Sequence, residues 1–540
     1  MIVIVDFGSQ TAHLIERRIK KLGVSTKIVH PEEILHEVQK PHFAKASRGK
    51  GIILSGGPSS VYVKNAPTVD PKIFSLNIPI LGICYGLQIM AKELGGKVVS
   101  GKKEYGPTSL EIGNWKLEIT KNLPNKFLVW MSHGDEVLTL PQGFEVLGST
   151  ESVKNAFIAN FKKKIFGVQF HPEVEHTEFG LQILKNFIAL CSGFSPRRSP
   201  LSHLRGDRNG LLGGEKVEEL KENIKNIVGV DYVIGAVSGG VDSTVAGLLC
   251  ADAIEEKFIP IYVENGLMRE GTRKHVLKIF KKHHVRPIVV NAVGETLKLL
   301  KGVSDSEKKR KIIGNLYIKL FEKEMKKLKK SGKNINFLMQ GTIYSDVIES
   351  GAPRHPDEQK DQGTKHSSKI KSHHNVGGLP KNMKLKLLEP LRSFYKDEVR
   401  EIGKMLGLPD EFIYKQPFPG PGYCVRIRGE VTAKKLEKIK KADKIVLEEL
   451  EKEDLLSKVF QSFPVLTGAS STAVKGDGRF FGDVIALRVV ESKDIMTSDW
   501  ARLPYNVLQK ISSRIVNEVD GVSRVVYDIT TKPPATMEWE

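Results

Sequence analysis

Two short stretches hold residues whose types and spacing could do chemistry. Gly82–Ile83–Cys84–Tyr85–Gly86 sets a cysteine between glycines, after apolar Ile80–Ile83 and before an apolar helical run. Ala236–Val237–Ser238–Gly239–Gly240–Val241–Asp242–Ser243–Thr244 sets glycines, hydroxyls and a carboxylate after the apolar run that begins at Tyr232. The first is a nucleophile-elbow pattern with sulfur in place of oxygen. Its glycines allow a sharp turn that lifts the side chain out of a sheet, and a helix start favours thiolate over thiol. The second has the strand–loop–helix order of a phosphate cradle. No lysine precedes Ser243, so it is not a GxxxxGK[ST] loop.

A cysteine nucleophile needs a base, and the base needs an orienter. His171 and Glu173 follow the predicted strand Ile165–Gln169. A two-residue offset puts both side chains on one side of an extended segment. Glu173 would hold the ring while His171 takes the thiol proton. In the cradle, the N–H groups of Gly239 to Ser243 would wrap a pyrophosphate. Hydroxyls of Ser238, Ser243 and Thr244 would add donors. Asp242 is the candidate magnesium partner.

These residues need elements to position them. Ile2–Val5, Ile52–Leu54, Ile80–Ile83 and Ile165–Gln169 read as short buried strands, and Trp115–Thr120 as a further strand. Ser9 could cap a helix carrying Leu14, Ile15, Ile19 and Leu22. A helix from about Gly86 to Leu94 stops at Gly95–Gly96. Strands alternating with helices predict an α/β fold. The stretch from Ser192 to Gly214 is rich in Gly, Ser, Pro and Arg and reads as a linker. A second βα series follows, with strands at Tyr232, Ile259–Val263 and Pro287–Asn291. The lysine-heavy helix Phe321–Lys330 reads as a solvated face. Polar, aperiodic Gly351–Lys371 reads as a mobile loop. Phe418 to Tyr423 ("FPGPGY") is a stiff turn before a last part with helices at Lys434–Leu450 and Val507–Val519 and strands at Ile485–Val490 and Arg524–Ile529.

Bulk properties set the class. A chain of 540 residues is too long for one core and implies about three or four domains of roughly 150 residues. Four scattered cysteines lack zinc or CxxC spacing, which predicts a reducing compartment. The amino terminus has no basic region ahead of a long apolar one, and no apolar run nears the roughly 20 residues of a membrane span. The expected location is the cytoplasm. A net charge of +20 fits nucleic acid, anionic substrates or solvated faces alike. A non-enzymatic nucleic-acid binder would need clustered bases with stacking aromatics. Aromatics are only 7% and dispersed.

"GICYGLQ", "MSHGD" and "QFHPEVEHT", in that order, resemble the class I glutamine amidotransferase family over about residues 1–190. The resemblance implies that Cys84 attacks the glutamine amide, with His171 and Glu173 completing the triad. It implies oxyanion-hole donors at Gly57 and Tyr85, and glutamine contacts at Gln88 and Asp135. "SGGVDST" resembles the ATP pyrophosphatase loop, shared by NAD, asparagine and argininosuccinate synthetases and tRNA thiolation enzymes. A tRNA-modifying rival would show an RNA-binding module or paired catalytic cysteines. "EKKRKIIG", "QGTIYSDVIES", "KSHHNVGGLP", "KQPFPGPG" and "YDITTKPPATMEWE" resemble the glutamine-hydrolysing GMP synthase family.

That resemblance implies an amidotransferase domain at 1–192, a linker at 193–214, a Rossmann-like ATP pyrophosphatase domain with a parallel sheet at 215–415, and a smaller α+β domain at 416–540. The last would bind XMP and form a homodimer. A lid at about 346–375 would carry Asp346, Glu349 and Lys371 for adenylylation, with Asp346 as a second metal partner. Arg310, Gln461, Arg524, Thr531, Lys532 and Glu540 would contact XMP. The implied substrates are XMP, ATP and glutamine, with Mg2+ and neither nucleic acid nor membrane as partner.

Overall fold

The computed structural model describes the chain apart from residues 10, 41–42, 44–48, 114–116, 192–213, 345, 348–384, 476–477, 493–495 and 540, and apart from the side chains of residues 102 and 475. The expected linker as far as residue 213, the polar loop and three candidate residues, Glu349, Lys371 and Glu540, therefore lie outside the described residues; Gly214, the last residue of the expected linker, opens a helix at Gly214–Val228.

The amino-terminal third is built on nine strands. They are β1 (Ile2–Val5), β2 (Thr26–Val29), β3 (Gly51–Leu54), β4 (Ile80–Ile83), β5 (Lys97–Ile112), β6 (Lys126–Thr139), β7 (Glu145–Ser149), β8 (Phe157–Asn160) and β9 (Ile165–Val168). They lie in the order β2-β1-β3-β4-β9-β8-β7-β5-β6. From β2 to β9 the pairings are parallel; from β9 to β6 they are antiparallel. β1, β3, β4 and β9 are buried along their whole length. This is why they read as unbroken apolar runs.

Helices cover both faces. α1 (Ala12–Lys21) puts Ile15 and Ile19 into one core layer, together with Ile183, Leu184 and Phe187 of a helix at Gly180–Leu190. α2 (Tyr85–Glu93) buries Leu87, Ile89 and Met90 in the layer on the other face. Each such buried Leu or Ile is worth about 1.5–3 kcal/mol.

Two local expectations are corrected. Ser9 does not cap α1: the N-cap is Thr11, and Ser9 Oγ is taken by the Thr11 N–H (3.1 Å) and hydroxyl (2.9 Å). The end of Trp115–Thr120 is not a strand. Glu118–Thr120 is a 3-10 turn with Ile119 buried, and Asn186 Nδ2 donates to the Ile119 (2.9 Å) and Lys121 (2.8 Å) carbonyls.

The middle of the chain is a five-stranded, all-parallel sheet: β10 (Tyr232–Ala236), β11 (Phe258–Glu264), β12 (Ile288–Asn291), β13 (Ile335–Met339) and β14 (Lys386–Leu388). Their order is β12-β11-β10-β13-β14. The order reverses between β10 and β13, and such a switch point opens a crevice at the strand carboxyl ends. α3 (Val241–Ile254) leaves the β10 loop and packs in a core shared with α5 (Lys396–Met405). α4 (Ser306–Lys330) covers the other face through Leu316, Leu320 and Phe321.

The last part pairs β15 (Gln461–Lys475) with β16 (Gly478–Glu491) as a long antiparallel hairpin. β18 (Val522–Tyr527) joins β16 in parallel, and the short β17 (Asp499–Trp500) pairs with β16's far end. Helices at Ala433–Lys452 and Tyr505–Glu518 bury their apolar faces with this sheet. The stiff turn is anchored at Gly422, whose φ is +69° and where a Cβ would sit 2.4 Å from the Leu267 carbonyl oxygen. Among the described residues no helix is long and apolar enough to cross a membrane.

Candidate active sites

Cys84 sits between β4 and α2 at φ 51°, ψ −105°. The elbow is compact because its flanking residues are glycines. A Cβ on Gly86 would lie 2.2 Å from the Leu54 carbonyl oxygen, and one on Gly82 would lie 2.7 Å from that of Gly86. The thiol is 5% exposed. It faces the Ser132 carbonyl, and Gln169 Nε2 donates to it, both at 3.7 Å. Burial pushes the Cys191 thiol up to about 12 and raises that of Cys250 as well, so these two are inert.

His171 follows β9 within hydrogen-bonding reach of Cys84. Its Nδ1 meets Glu173 Oε1 at 2.8 Å. Burial opposes charge on the ring, but the Glu173 carboxylate and Cys84 outweigh it and hold His171 well above its ordinary value. The backbone fixes the pair: the His171 N–H donates to the Trp130 carbonyl at 3.1 Å, and Thr177 Oγ1 donates to the His171 carbonyl at 2.6 Å. Glu173 is fully buried. Arg18 of α1 donates through Nε to the Glu173 carbonyl at 3.0 Å.

The remaining glutaminase candidates border this triad. A Cβ on Gly56 would meet His171 at 3.1 Å and Cys84 at 3.9 Å, and one on Gly57 would meet Tyr85 at 3.4 Å. Tyr85 opens α2, so its N–H is one of the helix's unsatisfied donors. Gln88 is 3% exposed, and its Nε2 donates to the Asp135 carbonyl at 2.7 Å. Gln169 and Arg18 are additions that no local pattern announced.

The second site is the loop between β10 and α3. Gly239 has φ +85°, and a Cβ there would lie 2.6 Å from Thr272. Gly240 is the N-cap of α3. Ser238 Oγ and Ser243 Oγ meet at 3.0 Å, and Ser243 Oγ donates to the Gly240 carbonyl at 3.2 Å. Val241 is buried and offers backbone only. Thr244 departs from expectation: its side chain is fully buried and its hydroxyl has no partner among the described residues, while its N–H is spent on the Gly240 carbonyl. Gly341, just past β13, packs against the loop, where a Cβ would lie 2.7 Å from Ser243 Cα. Five residues on, Asp346 Oδ2 accepts the Ile343 N–H at 3.0 Å.

Asp242 is not an open carboxylate. Lys396 Nζ donates to both of its oxygens at 2.6 Å. Among the described residues no three His, Cys, Asp or Glu side chains cluster as a metal site.

The nucleotide candidates sit unequally. Lys532 pairs its backbone with Ser498, and Thr531 lies against Gly106 of β5. The Gln461 amide is committed to Glu538 (2.8 Å) and the Pro417 carbonyl (3.2 Å), so Gln461 braces the tail. Arg524 is exposed on β18. Arg310, on α4, lies 3.7 Å from Glu307. The tail is held by a cation that the sequence did not single out. Fully buried Arg488 donates to Asp528 (2.7 Å) and to the carbonyls of Thr530, Thr536 and Met537.

Over its whole length the chain is 49% identical to the "GMP synthase [glutamine-hydrolyzing]" of Aquifex aeolicus, covering 99% of that relative. The chain belongs to the glutamine-hydrolysing GMP synthase family. Proteins of the same description from Brachyspira hyodysenteriae (47%) and Thermosipho africanus (48%) are likewise matched over 100% of this chain and 99% of their own length. Family models agree along the chain: "Glutamine amidotransferase class-I" at residues 3–191, "NAD synthase" at 214–342 and "GMP synthase C terminal domain" at 448–539. The family thus accounts for a buried thiol site and a phosphate-type loop in one chain.

Proposed function

We propose that Cys84, His171 and Glu173 form the glutaminase of this enzyme, and that the Ser238–Thr244 loop with Lys396 holds the pyrophosphate of ATP. The enzyme is a carbon–nitrogen ligase: ammonia from glutamine displaces AMP from adenylylated XMP, giving GMP, AMP, pyrophosphate and glutamate. The 2.8 Å His171–Glu173 pair beside Cys84 carries the first assignment.

In the glutaminase, the Cys84 thiolate adds to the side-chain amide carbon. N–H donors at Gly57 and Tyr85 meet the charge that develops on oxygen. His171, held protonated by Glu173, gives its proton to the leaving nitrogen, and ammonia departs. Water then cleaves the thioester. Gln88 and Asp135 position the substrate.

In the synthetase, the C2 oxygen of XMP attacks the α-phosphorus of ATP, and pyrophosphate leaves into the loop. Ammonia then adds at C2 and AMP leaves. Lys396 supplies the positive charge that the loop sequence lacks. Asp242, whose two oxygens Lys396 now takes, would have to exchange that contact to hold magnesium with Asp346; magnesium bound there would complete its shell from phosphate and water and neutralise phosphate charge. Arg310, Arg524, Thr531 and Lys532 would contact XMP, with Gln461 acting through the tail. Glu349, Lys371 and Glu540 keep the roles that the family resemblance implies.

The domain limits proposed above, 1–192, 215–415 and 416–540, each enclose one of the three sheets. A homodimer through the last domain is supported by exposed Val474, Phe481 and Ile529. Sedimentation tests it.

Pyrophosphate release from ATP tests the synthetase assignment. It should depend on XMP and not on deamido-NAD or aspartate. Release with either alternative, and not with XMP, would overturn the assignment.

A further inference from the structure

His133, in "MSHGD", is buried beside the glutaminase and has no part in the triad. Its side chain is 1% exposed. Its Nδ1 faces the Asp135 carbonyl at 3.1 Å and its Nε2 faces Glu104 Oε2 at 3.3 Å. Both partners only accept. A neutral imidazole carries one N–H and could satisfy one of them; an imidazolium satisfies both.

Its surroundings suit that charge. Glu104 stands opposite His133 across β5 and β6, placed there by an irregularity between Ser100 and Glu104. Bulges of this kind re-aim a side chain. Glu104 also accepts from Thr150 Oγ1 at 3.2 Å and from Ser152 Oγ. Burial works against its charge, but these bonds and His133 hold its carboxyl below the usual range. Among the described residues, the hydrogen-bond partners of the ring come from two strands, β5 with Glu104 and β6 with the Asp135 carbonyl. That same carbonyl accepts Gln88 Nε2 of α2 at 2.7 Å. One residue before His133, the Ser132 carbonyl faces the Cys84 thiol.

We propose that His133 is a positioning residue: as an imidazolium paired with Glu104, it fixes the Asp135 carbonyl and with it the glutamine subsite beside Cys84. The inference rests on the reading of Gln88 and Asp135 as that subsite. A ring that lost its proton would turn one bare nitrogen toward a buried acceptor and release the β6 segment. The pair therefore works as long as Glu104 is ionised.

The test uses the full chain with XMP and ATP, with ammonia-supported synthesis as the check that each variant folds. His133→Ala should raise the glutamine KM about tenfold or more and change kcat less. His133→Asn can still donate to the Asp135 carbonyl and should recover KM to within about threefold of wild type. Glu104→Gln, which removes the carboxylate opposite the ring, should raise the glutamine KM as His133→Ala does. The 15N spectrum of histidine-labelled enzyme, assigned by difference with His133→Asn, should show two protonated ring nitrogens at neutral pH. A neutral His133, or a glutamine KM left unchanged by Glu104→Gln, would overturn the brace. Gln88→Leu separates the premises. If it raises KM while His133→Ala does not, the brace alone is wrong. If it leaves KM unchanged, the subsite reading fails and the proposal with it.

Discussion

Lys396 Nζ stands 2.6 Å from both carboxylate oxygens of Asp242, across 154 residues of chain. The loop after β10 thus gains, from the first turn of α5, the cation that its own sequence lacks. Flanking residues of the same turn reach the other domain. Tyr395 and Asp397 both meet Arg17 of α1, with the Arg17 guanidinium 4.5 Å from the Tyr395 ring centroid. α1 in turn carries Arg18, which holds Glu173.

Lys396→Met should lower GMP formation from glutamine and from ammonia alike, by about 10²–10³-fold, the cost of removing one charge-stabilising donor. Lys396→Arg should retain part of the rate. Steady-state assays with each nitrogen source measure this. A loss confined to glutamine would show that Lys396 serves the interface rather than pyrophosphate.

The Glu173 carboxylate helps to hold His171 protonated, so Glu173→Gln should lower the pH at which that proton is lost. Glutamine-supported kcat/KM falls as His171 deprotonates. Its basic limb should therefore move to lower pH in the variant, while the ammonia-supported profile stays in place. A basic limb that does not move would mean that it belongs to another group.

Gly86→Ala would place a methyl 2.2 Å from the Leu54 carbonyl oxygen. Backbone there cannot yield as a flexible side chain can. The substitution should cost about 1–3 kcal/mol and distort the elbow. Thermal unfolding should shift downward, and glutamine-supported turnover should fall further than ammonia-supported turnover.

Arg488→Met removes four hydrogen bonds to the tail and leaves Asp528 without its cation. Breaking a buried pair from one side costs about 3–5 kcal/mol. The XMP KM should rise, and the segment after Tyr527 should become protease-sensitive. The glutaminase triad should keep its affinity for a thiol-reactive glutamine analogue.

The parts legible in the sequence were those with local causes. Buried strands such as Ile80–Ile83 are continuous apolar runs, and Cys84 sits in a five-residue pattern whose glycines have direct steric reasons. His171 and Glu173 are two residues apart and meet as expected. The long strands β5, β6 and β15 were not read as strands, and β16 only at Ile485–Val490, because polar and small residues interrupt them and their register depends on partners. Lys396 and Arg488 stand in no local pattern that singles them out. Their roles come from contacts 154 and 40 residues away. Thr244 was misjudged because its place in the motif says nothing of its rotation about α3, which turns it inward.

The division of labour is tested most directly by Cys84→Ala, assayed for GMP formation with glutamine and then with ammonium. Synthesis from glutamine should vanish, and synthesis from ammonium should stay near the wild-type rate. Loss of both activities in a folded variant would contradict two separate sites, and glutamine-supported synthesis that survives would remove Cys84 as the nucleophile.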